Sequence, residues 1–364
     1  MLMPGSMERL MVRRAACNMA GLLYNLCVFG VWRSLAARFV RVEEVAGSNP
    51  ATPTDIKNPA GFENLRGLFD PTILFLFCGL AWQSQDVILY SVLMMTNQTN
   101  WRGTVEMIRR AATSRGRADS GYFSIEGLRL HERAVRAGTK VEQAITTLAF
   151  MENPSGRIQT LLRDLDRAGC QISIVPDELV KEITGGRELG PILGLIKMPQ
   201  QPLLREISGR SGQALPLILV VVDVKDPGNV GALLRTAHAS GAMAFVAVGM
   251  SDPFHPKALR TTMGSLFKIP ILRYDNVFLL LSDLGDVGFE TVGTAVSSGT
   301  PLPDASFSDV GTALLVGSEA WGLSAEIQTA VDWLVSIPMS DGVDSYSVNA
   351  AAAIVLYEIM RGRY

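Results

Sequence analysis

Leu217 to Val222 is a continuous apolar run, the pattern of a strand buried on both faces. The turn residues Asp226-Pro227-Gly228-Asn229 follow it. Val230, Leu233, Leu234 and Ala237 then recur at i, i+3, i+4 and i+7, one stripe of a helix. Gly231, Arg235 and His238 fall on the other side of that helix. A guanidinium one turn after a glycine suits an approaching phosphate or sugar. The same pattern also fits an ordinary α/β unit with a solvated arginine. The glycines are spaced Gly-x-x-Gly, so this is not a dinucleotide fingerprint, and the chain contains no P-loop.

The alternation continues to the C-terminus. Strands are expected over residues 244–248, 291–295, 313–316 and 333–337, with helices over 257–262 and 276–284. Val348, Ala351, Ala352, Val355 and Ile359 form the stripe of a last helix. That order predicts a mostly parallel sheet covered by helices, over residues 212–364. Residues 100–205 read as a smaller α/β domain. Its expected strands are 122–127, 144–150, 171–175 and 192–196, and its expected helices 128–137, 158–168 and 178–183. Glu126-Gly127 reads as a strand-end turn. Pro199, Pro202, Gly209 and Gly212 mark a linker over 199–214.

Residues 1–93 follow neither period. Their apolar runs lack a clean helical or strand pattern, and 73–82 is shorter than the roughly 20 residues a membrane helix needs. Arginines flanking 15–32 allow a targeting peptide. Gly47-Ser48-Asn49-Pro50 supports another explanation, because it back-translates to GGT-TCG-AAT-CCC, the T-arm consensus of a transfer RNA gene. On that reading 1–93 is an atypical extension from a start codon placed too far upstream, and the true start is Met94 or Met95. If translated, the segment is expected to be disordered or poorly packed.

Composition narrows the classes. The net charge of −2 does not announce a nucleic-acid binder. Yet Arg102, Arg109, Arg110, Arg115 and Arg117 fall within 101–118 against the single acid Glu106. Such a patch is either an RNA contact or a solvated helix face. Cys17, Cys27, Cys78 and Cys170 include no CxxC pair, which points to a reducing compartment, the cytoplasm, rather than a disulfide scaffold. The three histidines are scattered, and no metal is expected.

Two further loops close expected strands: Val316-Gly-Ser-Glu-Ala-Trp-Gly-Leu323, and Ile337-Pro-Met339 leading into 341–349. Ligands bind open α/β sheets beyond the carboxyl ends of strands. Glycine admits backbone approach, and an Ile-Pro-Met wall suits an adenine.

Taken in order, Asp226-Pro-Gly-Asn-Val-Gly-Ala-Leu-Leu-Arg-Thr-Ala237, Val316-Gly-Ser-Glu-Ala-Trp-Gly-Leu-Ser324 and Ile337-Pro-Met339 with Ser345-Tyr-Ser-Val-Asn-Ala-Ala351 resemble the three motifs of the TrmH (SpoU) family, within the SPOUT superfamily of RNA methyltransferases. Arg260-Thr-Thr-Met-Gly-Ser265 and Phe123-Ser-Ile-Glu-Gly-Leu-Arg-Leu130 also resemble family segments. The resemblance covers about 105–362. It implies a SPOUT-type α/β catalytic domain with a C-terminal trefoil knot, preceded by a small L30e-like α/β substrate-binding domain. It implies transfer of a methyl group from S-adenosyl-L-methionine to a ribose 2′-hydroxyl of rRNA or tRNA, by a homodimer with its sites at the subunit interface. No membrane is involved.

The resemblance assigns Arg235, Asn229, Glu319 and Ser347 to catalysis. Gly317, Ile337 and Tyr346 match donor-contacting positions, with Thr294, Met339 and Val348 beside them. The third motif departs from the common Ser-Leu-Asn-Val-Ser: Asn349 and Ser347 have exchanged places. Two other readings share these motifs. One is a ribosomal antibiotic-resistance 2′-O-methyltransferase. The other is a non-catalytic RNA-binding protein of the same fold, which intact Asn229, Arg235 and Glu319 argue against.

Overall fold

A computed structural model describes residues 101–361, apart from 154, 209–215 and 308–310. The expectations for 1–93 lie outside the described residues. Among those described, no helix is long and apolar enough to cross a membrane.

Helices α1 (Trp101–Ala111) and α2 (Ser114–Ser120) open the described chain. A four-stranded sheet follows, from β1 (Tyr122–Glu126), β2 (Gln143–Thr146), β3 (Gln171–Ile174) and β4 (Ile192–Lys197) in the order β1-β4-β2-β3. Strand β4 runs antiparallel to both its neighbours, whereas β2 and β3 are parallel. Helix α3 (Leu128–Arg136) follows β1, and α4 (Leu148–Met151), α5 (Gly156–Arg167) and α6 (Asp177–Thr184) complete this part.

The strand expected over 144–150 ends early. Thr147 accepts a hydrogen bond from the Phe150 amide at 3.4 Å and caps α4 instead. A threonine hydroxyl satisfies a helix N-terminus, and that local bond outcompetes continuation of the ladder. The expected linker likewise contains α7 (Leu204–Ser208).

The second sheet has seven strands, all paired in parallel: β5 (Leu217–Val222), β6 (Ala244–Val248), β7 (Ile271–Tyr274), β8 (Glu290–Ala295), β9 (Thr300–Pro301), β10 (Thr312–Val316) and β11 (Trp333–Ser336). Their order is β7-β6-β5-β10-β8-β11-β9. Helices α8 (Pro227–Ala239), α9 (Pro256–Thr262), α10 (Val277–Asp286), α11 (Ala325–Ala330) and α12 (Val348–Arg361) cover it. Every residue of β5 and β10 is buried, as helices on both faces require. One layer of core gathers Leu217, Leu219 and Val221 with Leu233, Leu234 and Val355. The other gathers Ile218, Val220 and Leu315 with Leu280 and Leu284. The period of 2 in the strands thus sorts alternate residues onto opposite helix layers.

Candidate active site

Strands β10, β8 and β11 are neighbours, so their carboxyl ends open side by side. The loops leaving them surround a cleft of about 470 Å³. Val316 to Leu323 supply one wall, Thr294 to Ser298 another, and Ile337, Met339, Tyr346 and Val348 a third. All six residues assigned to the donor by resemblance, Gly317, Ile337, Tyr346, Thr294, Met339 and Val348, line this one cleft, as does Glu319. The volume suits a small-molecule ligand, and the mixture of apolar side chains and loop backbone suits an adenine ring. Asp344 and Glu319 add negative charge at its wall.

Gly317 has a structural reason to be glycine. A Cβ there would run into the backbone of Gly322 and Leu323, so the loop closes tightly on its own start. Ser318 and Gly322 exchange backbone hydrogen bonds at 3.1 and 2.9 Å. The closed loop presents Glu319 at one side and Trp321, 89 % exposed, at its tip.

Asp226 caps α8, its carboxylate accepting from the Gly228 amide at 3.0 Å and from Lys257 Nζ at 2.6 Å. These two partners hold the Asp226 carboxyl below its ordinary range, the lysine contributing most. The cap fixes the first turn, where Asn229 stands. Asn229 Nδ2 donates to Glu319 Oε1 at 2.9 Å, and Asn229 Oδ1 accepts from Asn349 Nδ2 at 3.0 Å. A chain of three polar side chains, Glu319–Asn229–Asn349, therefore joins all three motifs. Among the described residues, buried Asn349 Oδ1 has no hydrogen-bond partner.

Asn349 is the residue sequence reasoning left without a role. Ser347, assigned to catalysis by resemblance, accepts from the Ala350 amide at 3.3 Å and caps α12. It does not line the cleft. The exchange in the third motif moves the amide two residues onward, from the cap of α12 into its first turn, where it reaches Asn229 of α8. Only knowledge of which face of α12 meets α8 could have signalled this.

Arg235 is exposed, makes no hydrogen bond or ion pair to the described residues, and does not line the cleft. Gly231 corrects an expectation. A Cβ there would strike the backbone of Ala258 on α9, so this glycine serves helix–helix contact and not ligand approach.

Arg117 corrects another. Its side chain is 2 % exposed and pairs with Asp252, while Nη1 donates to the Ala111 carbonyl at 2.9 Å. Burial pushes its pKa down, opposed by the Asp252 charge. Its guanidinium is therefore held inside the protein, paired with Asp252 and Ala111. Arg109, Arg110 and Arg115 stay exposed but already face Glu182, Glu106 and Asp119 at 2.7, 3.0 and 3.8 Å. Arg102 lies over the Trp101 ring at 4.6 Å. Among the described residues, no group of three or more His, Cys, Asp or Glu side chains is placed to hold a metal ion.

Comparison with known proteins follows the same residues. A model of the SpoU rRNA methylase family matches 216–357. The 23S rRNA (guanosine-2′-O-)-methyltransferase RlmB of Pasteurella multocida is 30 % identical over 225 residues, covering 61 % of this chain and 91 % of that protein. The 23S rRNA (guanosine(2553)-2′-O)-methyltransferase RlmP of Bacillus subtilis is 29 % identical over 252 residues, covering 69 % and 93 %. The AdoMet-bound rRNA methyltransferase from Sinorhizobium meliloti superposes with a TM-score of 0.63 at 26 % identity, covering 73 % of this chain and 96 % of that one. The SpoU methyltransferase AviRb from Streptomyces viridochromogenes, in complex with AdoMet, gives 0.63 at 27 %, covering 72 % and 98 %.

Proposed function

Because this chain belongs to the SpoU rRNA methylase family, we propose that it transfers a methyl group from S-adenosyl-L-methionine to a ribose 2′-oxygen of ribosomal or transfer RNA. The observation that carries this reading is the cleft at the ends of β10, β8 and β11, where the loops of the second and third motifs meet and Asn229 of the first is tied to Glu319. The donor supplies an electrophilic methyl on a sulfonium. The 2′-oxygen forms a bond to that methyl as the carbon–sulfur bond breaks, S-adenosyl-L-homocysteine leaves, and the hydroxyl proton passes to a base or to water. Gly317, Thr294, Ile337, Met339, Tyr346 and Val348 would hold the donor, and Asp344 and Glu319 would favour its positive charge. Glu319 also fixes Asn229, and Asn349 fixes it from the other side.

Arg235 is the proposed group for the ribose and its phosphate. A guanidinium, its charge spread over a planar fork, holds its proton too firmly to be a good base, so it serves as an electrostatic partner of the developing alkoxide. Its absence from the cleft of its own chain supports a homodimer in which Arg235 reaches the cleft of a second copy. We further infer that the segment from Ile337 to α12, which returns to pack on α8, forms the C-terminal trefoil knot, an exception to the rule against threaded chains. The sheet β1–β4 with its helices, roughly 100–205, is the proposed L30e-like RNA-binding domain ahead of a catalytic domain of 212–364. An RNA substrate of this kind supports a cytoplasmic location. The methyltransferase names of the relatives do not favour the non-catalytic alternative, and nothing on the chain favours an antibiotic-resistance role.

The test is transfer of isotopically labelled methyl from S-adenosyl-L-methionine to protein-free rRNA and tRNA, followed by nuclease digestion and mass analysis of nucleosides. A 2′-O-methylnucleoside at one site is the expected product. Label on a base, or none with intact donor binding, would overturn the reading.

A further inference from the structure

Two family-like segments have no part in the cleft above: Glu126-Gly127-Leu128-Arg129-Leu130 and Arg260-Thr-Thr-Met-Gly264. They meet each other. Both line a second cleft of about 360 Å³, between the start of α3 and the end of α9. Glu126 is buried at its edge and accepts from Arg187 Nε and Nη2, each at 3.1 Å, and from Arg260 Nη1 at 3.0 Å. One carboxylate thus holds two guanidinium groups in place and neutralises one charge. Gly127 must be glycine: its φ is +87°, and a Cβ would lie 2.6 Å from the Leu189 carbonyl oxygen. Gly264 has φ +88°, and a Cβ there would lie 2.7 Å from Cβ of Arg133. The aliphatic stem of Arg133 therefore rests on Gly264, which sets its guanidinium on the seam.

The charge here is unlike that of the 101–118 segment, where most arginines already face carboxylates. Arg129, Arg133 and Arg136 fall at i, i+4 and i+7 on α3, are exposed, and make no hydrogen bond or ion pair within 4 Å to the described residues. The acid on that helix, Glu132, is engaged at both carboxylate oxygens by Arg157, at 2.6 and 2.7 Å. It feels Arg133 and Arg136 only as weaker neighbours. Around this cleft and face stand Arg129, Arg133, Arg136, Arg157, Arg187 and Arg260 against Glu126, Glu132 and Glu188. Exposed guanidinium groups at helical spacing, beside a concave seam, match the repeat of a polyanionic backbone.

We propose that this cleft and the adjoining face of α3 hold the phosphodiester backbone of the RNA substrate, in place of the 101–118 patch. The inference rests on the RNA methyltransferase reading. Arg129, Arg133 and Arg136 contact phosphates along α3. Arg260, fixed by Glu126, forms the inner wall where the strand enters the seam, and Arg187 braces the same carboxylate from outside the cleft. Glu126 is a positioning residue.

The experiment uses the full chain and protein-free 23S rRNA as probe, with affinity measured by filter binding over a range of salt concentrations. The triple variant Arg129→Ala/Arg133→Ala/Arg136→Ala should bind at least about tenfold more weakly, with the log K against log salt slope reduced by about 2 to 3. The triple variant Arg102→Ala/Arg109→Ala/Arg110→Ala should change that slope by less than about 1. Both should bind S-adenosyl-L-methionine as the unaltered chain does. Because Arg133 packs on Gly264, the double variant Arg129→Ala/Arg136→Ala, which touches no packed stem, is measured alongside and should lower the slope by about 1 to 2. An unchanged slope in the double variant, or a larger loss from the 101–118 triple, overturns the proposal while leaving the methyltransferase reading intact. An unaltered chain that binds the rRNA without salt dependence, and methylates no RNA, would sink both.

Discussion

The roles proposed for Arg235, at the ribose, and for Asn349, in fixing Asn229, can each be tested alone. Arg235 is exposed and lies off the buried stripe of Val230, Leu233, Leu234 and Ala237, so Arg235→Ala leaves no cavity. Melting temperature and donor affinity should stay near those of the unaltered chain, while single-turnover methyl transfer falls at least about a hundredfold. Arg235→Lys should restore little, since an ammonium lacks the planar fork. If Arg235 serves the cleft of a second copy, mixing Arg235→Ala with Glu319→Ala subunits should recover activity that neither has alone. Wild-type rates in Arg235→Ala would remove it from the mechanism. For the third motif, Asn349→Ala should free Asn229 and slow transfer by about tenfold or more, whereas Ser347→Ala should cost only a helix cap, about 1 kcal/mol of stability, with transfer nearly unchanged. The reverse ranking in paired rate and melting measurements would return Ser347 to catalysis. That Gly317, Ile337 and Tyr346 share one cleft was legible in the sequence because they sit in contiguous motifs after strands. Asn349 was not, because its role depends on a partner 120 residues away.

At the scale of elements, the contact between α8 and α9 carries the first motif. Gly231 lets the two helices touch backbone to backbone at Ala258. Gly231→Ala must push α9 away or bend α8, and overpacking of this kind costs about 1–3 kcal/mol. Since Asn229 is two residues earlier, we expect a lower melting temperature together with slower transfer, read by calorimetry and single-turnover assay. An unaltered melting temperature would show that the helices have room to spare. The strong period of β5, α8, β10 and α12 made those elements readable, because both faces of the sheet demand apolar residues. Edge elements were missed for the converse reason. Strand β7 buries Ile271 and Leu272 but leaves Arg273 exposed, a pattern too short to show a period. Gly231 shared a face with Arg235 on a helical wheel, and nothing in the sequence says that α9 covers that part of it.

At the scale of the whole molecule, β1 and α2 are fastened to the segment between β6 and the end of α9. Arg117 pairs with Asp252, Glu126 with Arg260, and the rings of Phe123 and Phe254 lie 5.2 Å apart. The Arg117 side chain is 2 % exposed and that of Asp252 18 %, so neither is well solvated. Removing one member leaves the other buried without a counter-charge, which costs about 3–5 kcal/mol. Arg117→Ala also strips the Ala111 carbonyl of its donor. We therefore expect a markedly lower melting temperature and faster proteolysis within 199–208, after the last strand of the first sheet. Donor affinity of the folded fraction should hold, because none of these residues lines the donor cleft. The salt slope of RNA binding should hold too, because a buried and paired guanidinium releases no counterion on binding. Arg117→Lys should recover part of the stability, since it keeps the charge but not the bond to two acceptors at once. A variant that melts like the unaltered chain yet binds RNA with a flatter salt slope would put Arg117 on the RNA surface and dissolve the proposed junction.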